Sequence, residues 1–414
     1  MTIDFIIGDS LETMRTLPDQ SVDLIACSPP FLALRNYNDL DGQWGTEPDP
    51  AGFLDNLLTL TVEMGRVLTE HGSIAIELGD TYSGSGGHGG DYNEDGIRSG
   101  QTKFAGSAKA SSRRDRATIP TQNPGGAGWP LAKSLCGIPT LYAWSLAYGR
   151  NLLNPEHTSE PWRIRNIISW TRNNPPVGAL GDKVRPATSY ITVATRSKKR
   201  WFDLDAVRTP HTEPDHIQRN HMIGNKSRGD RETNEFMVQN PNGSPPLDHW
   251  HDEHDGDVEW FINGQGSKLA HFAMWPPKLA ERIVLSMCPQ GVCTGCGEPR
   301  RRLTEITPDG TPTSGARYRD RQVRGATGER HGGTTVEHLG WSACDCEDPY
   351  RRGVVCDPFC GTGTTLAVAD IHRRDAIGID LDPANEHLYS ARYDEVKKSL
   401  FGVSPQTPGQ MALI

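Results

Sequence analysis

Three short stretches of this sequence carry residue types whose spacing could do chemistry. The run Val355-Cys356-Asp357-Pro358-Phe359-Cys360-Gly361-Thr362-Gly363-Thr364-Thr365 reads as a strand that enters a glycine turn and then a helix. Glycines in such a turn let a ligand come close to the backbone, at the carboxyl end of a parallel strand where α/β sheets bind their ligands. The turn lacks the third glycine of a dinucleotide fingerprint and the lysine of a phosphate loop, so it predicts a nucleotide-like ligand without a pyrophosphate. Roughly twenty residues on, Asp380 closes the next strand, where an acid is placed to hold ribose hydroxyls.

The second stretch is Cys27-Ser28-Pro29-Pro30-Phe31, directly after an apolar run. Consecutive prolines fix the backbone and withhold two N–H donors, so the carbonyls and the Ser28 oxygen form a rigid, acceptor-lined notch. Phe31 beside it offers a flat face for a planar base, and the ensemble suits a nucleobase amine taken out of its helix. The third stretch is the pair Cys293-Thr294-Gly295-Cys296 and Cys344-Asp345-Cys346. Cys293, Cys296, Cys344 and Cys346 supply four soft ligands, the number a closed tetrahedral zinc site needs, with His331 and His338 as spare candidates.

The elements that must position these residues follow an α/β rhythm. Apolar runs at Ile3 to Ile7, Val22 to Ala26 and Ser73 to Leu78 read as strands, with helical patterns between them, the longer one from Phe53 to Leu68 and ending at Gly72. A helix near Leu141 to Tyr148 and strands near Ile164 to Trp170 and Tyr190 to Thr195 follow. Helical character returns over Pro277 to Met287, and the chain closes with strand Val354 to Cys356, helix Thr364 to His372, strand Ala376 to Ile379 and helix Pro383 to Lys398. One sheet built from both ends of the chain is the simplest assembly. The expected organisation is a catalytic half at 1–82, a Gly-rich insertion at 83–130, further core at 131–204, and an insertion at 205–266. A core helix at 267–292, a zinc-ribbon-like insertion at 293–352, a cofactor-binding half at 353–400 and a tail at 401–414 complete it.

Composition narrows the function classes. Hydrophobic residues make up 35% and mean hydropathy is -0.56, while 44 glycines and 30 prolines exceed average usage and predict a packed core carrying long loops. No run approaches the roughly 18 apolar residues of a membrane span, and the amino terminus has no basic region leading into an apolar run. Membrane and secreted roles are therefore excluded, and a cytoplasmic protein of a prokaryotic cell or a phage-infected host is expected. The formal charge of -9 repels nucleic acid overall, so any such contact needs local basic patches. Arg113, Arg114 and Arg116, the run Arg196 to Arg200, Arg300 to Arg302, and Arg317, Arg319, Arg321 and Arg324 are the candidates for a phosphate channel.

Taken together, Ser28 to Phe31 resembles the catalytic motif of amino-methylating DNA methyltransferases, and Asp357 to Thr365 is similar to their S-adenosylmethionine motif. Gly8-Asp9, the tryptophan-containing stretch Ile168 to Pro175, and Pro276 to Ile283 match further family motifs. With the catalytic motif ahead of the cofactor motif, the order resembles the circularly permuted beta group. The resemblance implies an α/β fold, a Rossmann-like methyltransferase sheet in permuted order with polar insertions. It also implies that Ser28, Pro29, Pro30 and Phe31 hold the target amine of a base flipped from double-stranded DNA. Asp357, Phe359, Gly361, Gly363, Thr364 and Thr365 would bind the methionine side of S-adenosylmethionine, Asp380 the ribose and Asp9 the adenosine end. Ser28, where the family often has Asp or Asn, resembles the cytosine enzymes and points to cytosine N4. The target-reading region would lie at about 205–266, with the acids from Asp248 to Glu259 facing away from DNA, and a restriction endonuclease is a partner of the kind this family implies. Adenine N6, RNA or a protein amide are alternative targets, and a non-catalytic zinc-containing nucleic-acid-binding module is the alternative of another class.

Overall fold

The computed structural model describes residues 2–34, 40–84, 126–172, 184, 186–209, 240, 242–251, 276–308 and 334–401. The eleven-residue and longer helices arise where apolar residues recur at helical spacing, and the strands where they alternate or run together. In chain order the elements begin β1 (Ile3–Ile7), α1 (Ser10–Thr16), β2 (Val22–Cys27), α2 (Pro50–Val67), β3 (Leu68–Leu78), α3 (Ile138–Tyr148), β4 (Arg163–Thr171) and β5 (Thr188–Thr195). They continue β6 (His249–His251), α4 (Pro277–Met287), β7 (Val292–Cys293), β8 (Arg302–Pro308), β9 (Thr334–Trp341), β10 (Tyr350–Arg351), β11 (Val354–Asp357), α5 (Thr364–Ile371), β12 (Asp375–Asp380) and α6 (Ala384–Phe401). None of the described helices is long and apolar enough to cross a membrane.

Eight strands form one sheet in the order β1-β12-β11-β2-β3-β5-β4-β6. The first five are mutually parallel, β5 runs antiparallel between β3 and β4, and β6 lies parallel to β4. Period-two alternation splits the buried side chains of β2 between two cores. Ile25 and Cys27 join α1, α2 and α3 on one face, while Leu24 and Ala26 join α4, α5 and α6 on the other. Both faces of the sheet are thus covered by helices, which is why β2 is buried at every position.

Two departures from the sequence pattern have physical causes. The helical pattern through Leu68 to Gly72 gives way at Val67, and those residues join β3 instead. Asp23, fully buried on β2, draws them alongside: the Thr69 hydroxyl donates to it at 3.3 Å and His71 Nε2 lies 2.9 Å away. Gly72 permits the approach, since a Cβ there would stand 3.0 Å from the Asp23 carbonyl oxygen. Within 205–266, His249–His251 adds the last strand to the sheet, with Ser169 N–H donating to the Asp248 carbonyl at 2.9 Å. That strand was not legible, being three residues long and carrying two histidines. The Gly-rich insertion from 85 to 125 with Arg113, Arg114 and Arg116, most of 205–266 with its acids after Asp248, and residues 402–414 lie outside the described residues.

The 293–352 insertion builds its own small unit, with β7 paired to β10 and β8 to β9. Asp23 also latches this unit to the sheet. Arg351 on β10 donates to both Asp23 oxygens at 2.6 and 3.0 Å, and Val354 N–H donates at 2.8 Å. Burial alone would raise the Asp23 carboxyl, but the hydrogen bonds from His71 and Arg351 outweigh it and hold the group below its ordinary value. The stabilisation is therefore present above the ordinary carboxylate range and is lost as pH falls through the lowered native value. Arg351→Ala should leave this carboxylate buried without its cation and destabilise the protein by about 3 to 5 kcal/mol. Urea unfolding at pH 7 reads this, and an unchanged midpoint would mean the latch contributes nothing.

Candidate active site

Because β1, β12, β11, β2 and β3 are parallel, their carboxyl ends share one edge of the sheet. That edge carries Asp9, Asp380, the turn after Asp357, the loop at Ser28, and Gly79 with Asp80. The pairing of Val355 with Leu24 and of Cys356 with Ile25 sets the glycine turn beside the proline loop, although some 330 residues of chain separate them.

The turn is held by its own acids. Asp357 is buried and accepts from the Thr365 hydroxyl at 2.6 Å and the Phe359 N–H at 3.0 Å. Burial, reinforced by the nearby Asp380 charge, pushes its carboxyl up to about 7 despite those bonds. Gly361, at φ 53, donates its N–H to Asp380 at 2.9 Å, and Asp380 also accepts from Asp382 N–H at 2.8 Å and the Asn385 amide at 2.9 Å. Gly363, at φ 84, starts α5 where a Cβ would stand 2.5 Å from the Tyr389 ring. At the centre of this turn the Thr362 hydroxyl is buried with no hydrogen-bond partner.

Several residues expected to line a cofactor have their side chains engaged within the protein. Thr364 accepts from Arg392 Nε at 2.9 Å, Thr365 is bonded to Asp357, and Asp9 caps α1 by accepting from Glu12 N–H at 2.9 Å. The Asp380 carboxylate is likewise engaged, with Gly361, Asp382 and Asn385, while Phe359 and Gly361 are only partly buried. Ser10, absent from the sequence reading, donates to the Pro358 carbonyl at 2.6 Å and ties α1 to the turn. A serine directly after a helix-capping Asp was its only signal.

The proline loop rests on two glycines. Phe31 lies against Gly79 at the end of β3, where a Cβ would stand 2.4 Å from the ring, and Gly45, at φ 86, would meet the Phe31 carbonyl at 2.8 Å. Ala33 N–H donates to Gly45 O at 2.8 Å, and Glu47 accepts the Gly45 N–H at 2.8 Å. Trp44 then bridges to the other loop, edge-on to Phe359 with ring centres 5.2 Å apart. Asp80 accepts from the N–H groups of Gly137 and Ile138, docking the start of α3 at this edge. Ser28 and Phe31 are half-buried and Pro29 is buried, so the loop is rigid yet open on one side. Cys27 is wholly buried, and burial pushes its thiol well above the ordinary value, which leaves no thiolate nucleophile next to the loop.

Cys293, Cys296, Cys344 and Cys346 converge, with their sulfur atoms all within 4.8 Å of one another. This cluster lies at the opposite, amino edge of the parallel strands, because β10 leads directly into β11 and Arg351 reaches the start of β2. His338 stacks edge-on with Trp341 instead of joining the cluster, and His331 lies outside the described residues. The basic runs sit at the amino edge as well. Arg196 follows β5, which is antiparallel, and Arg302 pairs with Asp203 at 2.8 Å while Arg300 donates to the carbonyls of Ser342 and Trp341. A strand's length, about 18 Å for β3 residues 73 to 78, separates them from Phe31. Arg196 to Arg200 and Arg300 to Arg302, expected to contribute to a phosphate channel, thus stand at the edge away from the proline loop. Arg317, Arg319, Arg321 and Arg324 lie outside the described residues.

A model of the N6- and N4-type DNA methylase family matches residues 22–293 and 347–390, well over half of the chain. The chain belongs to this family. The match contains both loops of the carboxyl edge and passes over 294–346, the bulk of the cysteine unit. Among curated relatives, the type II methyltransferase M.SfiI of Streptomyces fimbriatus is 26% identical over 56% of this chain and 46% of its own length. M.Cfr9I of Citrobacter freundii, also a type II methyltransferase, is 30% identical over 49% of this chain and 57% of its own length. The chain spans about half the length of these relatives. The solved PvuII DNA methyltransferase, described as cytosine-N4-specific, is 13% identical, with a TM-score of 0.46 over 96% of this chain and 92% of that one.

The Gly79 contact gives a direct check on the proline loop. Gly79→Ala should push the Phe31 ring out of place and slow any reaction centred on the proline loop about a hundredfold, the cost of an ångström-scale misplacement. Steady-state rates with a thermal melt as control would read it, and an unaffected rate would remove Phe31 from the reacting centre.

Proposed function

We propose that this chain transfers a methyl group from S-adenosylmethionine to the exocyclic N4 amine of cytosine in double-stranded DNA. The observation that carries this reading is the β2–β11 pairing, which sets an acceptor-lined proline loop beside a glycine turn in a chain of the DNA methylase family. The catalytic loop preceding the cofactor turn fits the permuted beta group.

The turn fits the cofactor: the Thr362 hydroxyl is buried without a partner, and Gly361, at φ 53, is only partly buried. Phe359 and the turn's backbone would hold the methionine portion and Asp380 the ribose. S-adenosylmethionine, when bound, supplies an electrophilic methyl on sulfur, so no covalent enzyme intermediate is needed. The protein's work is to position the amine in line and free its lone pair. The Ser28 oxygen and Pro29 carbonyl accept the two amine hydrogens and draw the nitrogen toward tetrahedral geometry. Phe31, braced by Gly79, stacks on the flipped ring. Nitrogen gains the methyl as the sulfur–carbon bond breaks, and the surplus amine proton leaves to water, since Ser28 is a poor base. Serine at this position supports cytosine as the base.

The four-cysteine cluster fits zinc. A tetrahedral Zn–S distance of about 2.3 Å places sulfurs about 3.8 Å apart, within the span observed here. Its place at the amino edge supports a structural role, holding together β7, β10 and the chain ends of the inserted unit.

Incubating the protein with labelled S-adenosylmethionine and mixed-sequence DNA, then identifying the methylated nucleoside by mass spectrometry, should give N4-methylcytosine. N6-methyladenine would overturn the base assignment while keeping the reaction, and Ser28→Ala should abolish turnover with cofactor affinity retained. Elemental analysis should find about one zinc per chain, lost in Cys296→Ser; a metal-free native protein would make the thiol cluster coincidental.

A further inference from the structure

Two arginines of the amino edge are neutralised by carboxylates: Arg351 by Asp23 and Arg302 by Asp203. Arg172 differs. It follows β4 at the carboxyl edge, and its partner is an indole, with the guanidinium carbon 5.0 Å from the centre of the Trp170 ring. An indole orients a guanidinium without cancelling its charge. Arg172 Nε is buried without an acceptor, and so is Trp170 Nε1. Among the described residues no carboxylate pairs with this cation.

The support beneath it is rigid. Trp170 is the register partner of Trp250 on β6, whose Nε1 donates to the Leu247 carbonyl at 2.9 Å and whose ring carries Arg282 at 4.6 Å. Register also fixes where Arg172 stands relative to the proline loop. Leu78 is opposite Tyr190, and Tyr190 is opposite Ser169, so Trp170 lies in the row of Gly79 and Arg172 two residues beyond it. Two strand spacings separate that row's ends, about 10 Å, and Phe31 lies on Gly79. That span is on the order of three steps of a DNA strand.

We propose that Arg172, held over the Trp170 ring, binds a backbone phosphate of the duplex close to the nucleotide whose base enters the Ser28–Phe31 loop. This rests on the reading of the chain as a DNA methyltransferase. In a protein of net charge -9, an uncompensated cation at the catalytic edge answers the need that the paired arginines of the other edge do not meet. The contact positions DNA without reading sequence.

The test uses the full chain and Arg172→Gln, which keeps a planar group over the indole and removes the charge, with Arg172→Lys as the charge-retaining control. Binding to a mixed-sequence duplex is measured across a salt series, alongside cofactor affinity and a thermal melt. Arg172→Gln should weaken duplex binding about tenfold and reduce the slope of log affinity against log salt by about 0.9, the value for one phosphate. KM for DNA should rise with kcat retained, cofactor affinity should not change, and Arg172→Lys should keep the wild-type slope. An unchanged slope in Arg172→Gln, or a loss confined to one DNA sequence, overturns the phosphate assignment. Failure of the wild-type protein itself to bind or methylate DNA would instead overturn the functional reading on which the assignment rests.

Discussion

The pairing of β11 with β2 is the constraint on which the rest of the molecule depends. Two residues of each strand, Val355 with Leu24 and Cys356 with Ile25, close the sheet between the two ends of the chain. Parallel strands deliver their carboxyl ends to the same edge, so once this register is set the proline loop and the glycine turn must be neighbours. The contacts above it are consequences: Trp44 on Phe359, Ser10 on the Pro358 carbonyl, Phe31 on Gly79. Each is a short, specific contact between segments that would otherwise have no reason to meet.

The two edges of the sheet use polar groups differently. At the amino edge, Asp23 gathers Arg351, His71, Thr69 and the Val354 amide, and its desolvation is offset by this full set of partners. That edge holds the inserted cysteine unit against the core. At the carboxyl edge the acids work on the backbone: buried Asp357 and half-buried Asp380 fix the turn, Asp80 docks α3, and Asp9 caps α1. Burial raises Asp357 and Asp80, so their loops are held by groups whose charge is costly in that environment. A ligand whose charge or hydrogen bonds relieve that cost would be favoured there over water.

The family match runs through both loops and passes over 294–346, most of the inserted unit. The matched part holds every strand of the sheet but β1, and the unmatched 294–346 carries β8, β9 and three of the four cysteines at the far side. An insertion placed there can change without disturbing the two loops of the carboxyl edge, because the length of the strands stands between them.

Local patterns were enough for the sequence to determine the strands and helices of the core, the glycine turn, the proline loop and the four converging thiols, since periodicity, turn residues and cysteine spacing are properties of neighbouring residues. The sequence also marked Asp380 and Asp9, but only the structure shows Asp380 bracing Gly361 and Asp9 capping a helix. Gly79, Gly45, Trp44 and Ser10 escaped notice because their importance lies in contacts with residues far along the chain, and a single glycine or tryptophan announces nothing by itself. The helical pattern at Leu68 to Gly72 yielded to Asp23 for the same reason: a buried carboxylate outweighs a weak local preference. Arg196 to Arg200 and Arg300 to Arg302 read as candidates for a phosphate channel, and only the antiparallel course of β5 and the return through β10 show that they lie at the edge opposite the proline loop. Which residues share an edge is fixed by strand direction and register, and those exist only once the chain has folded.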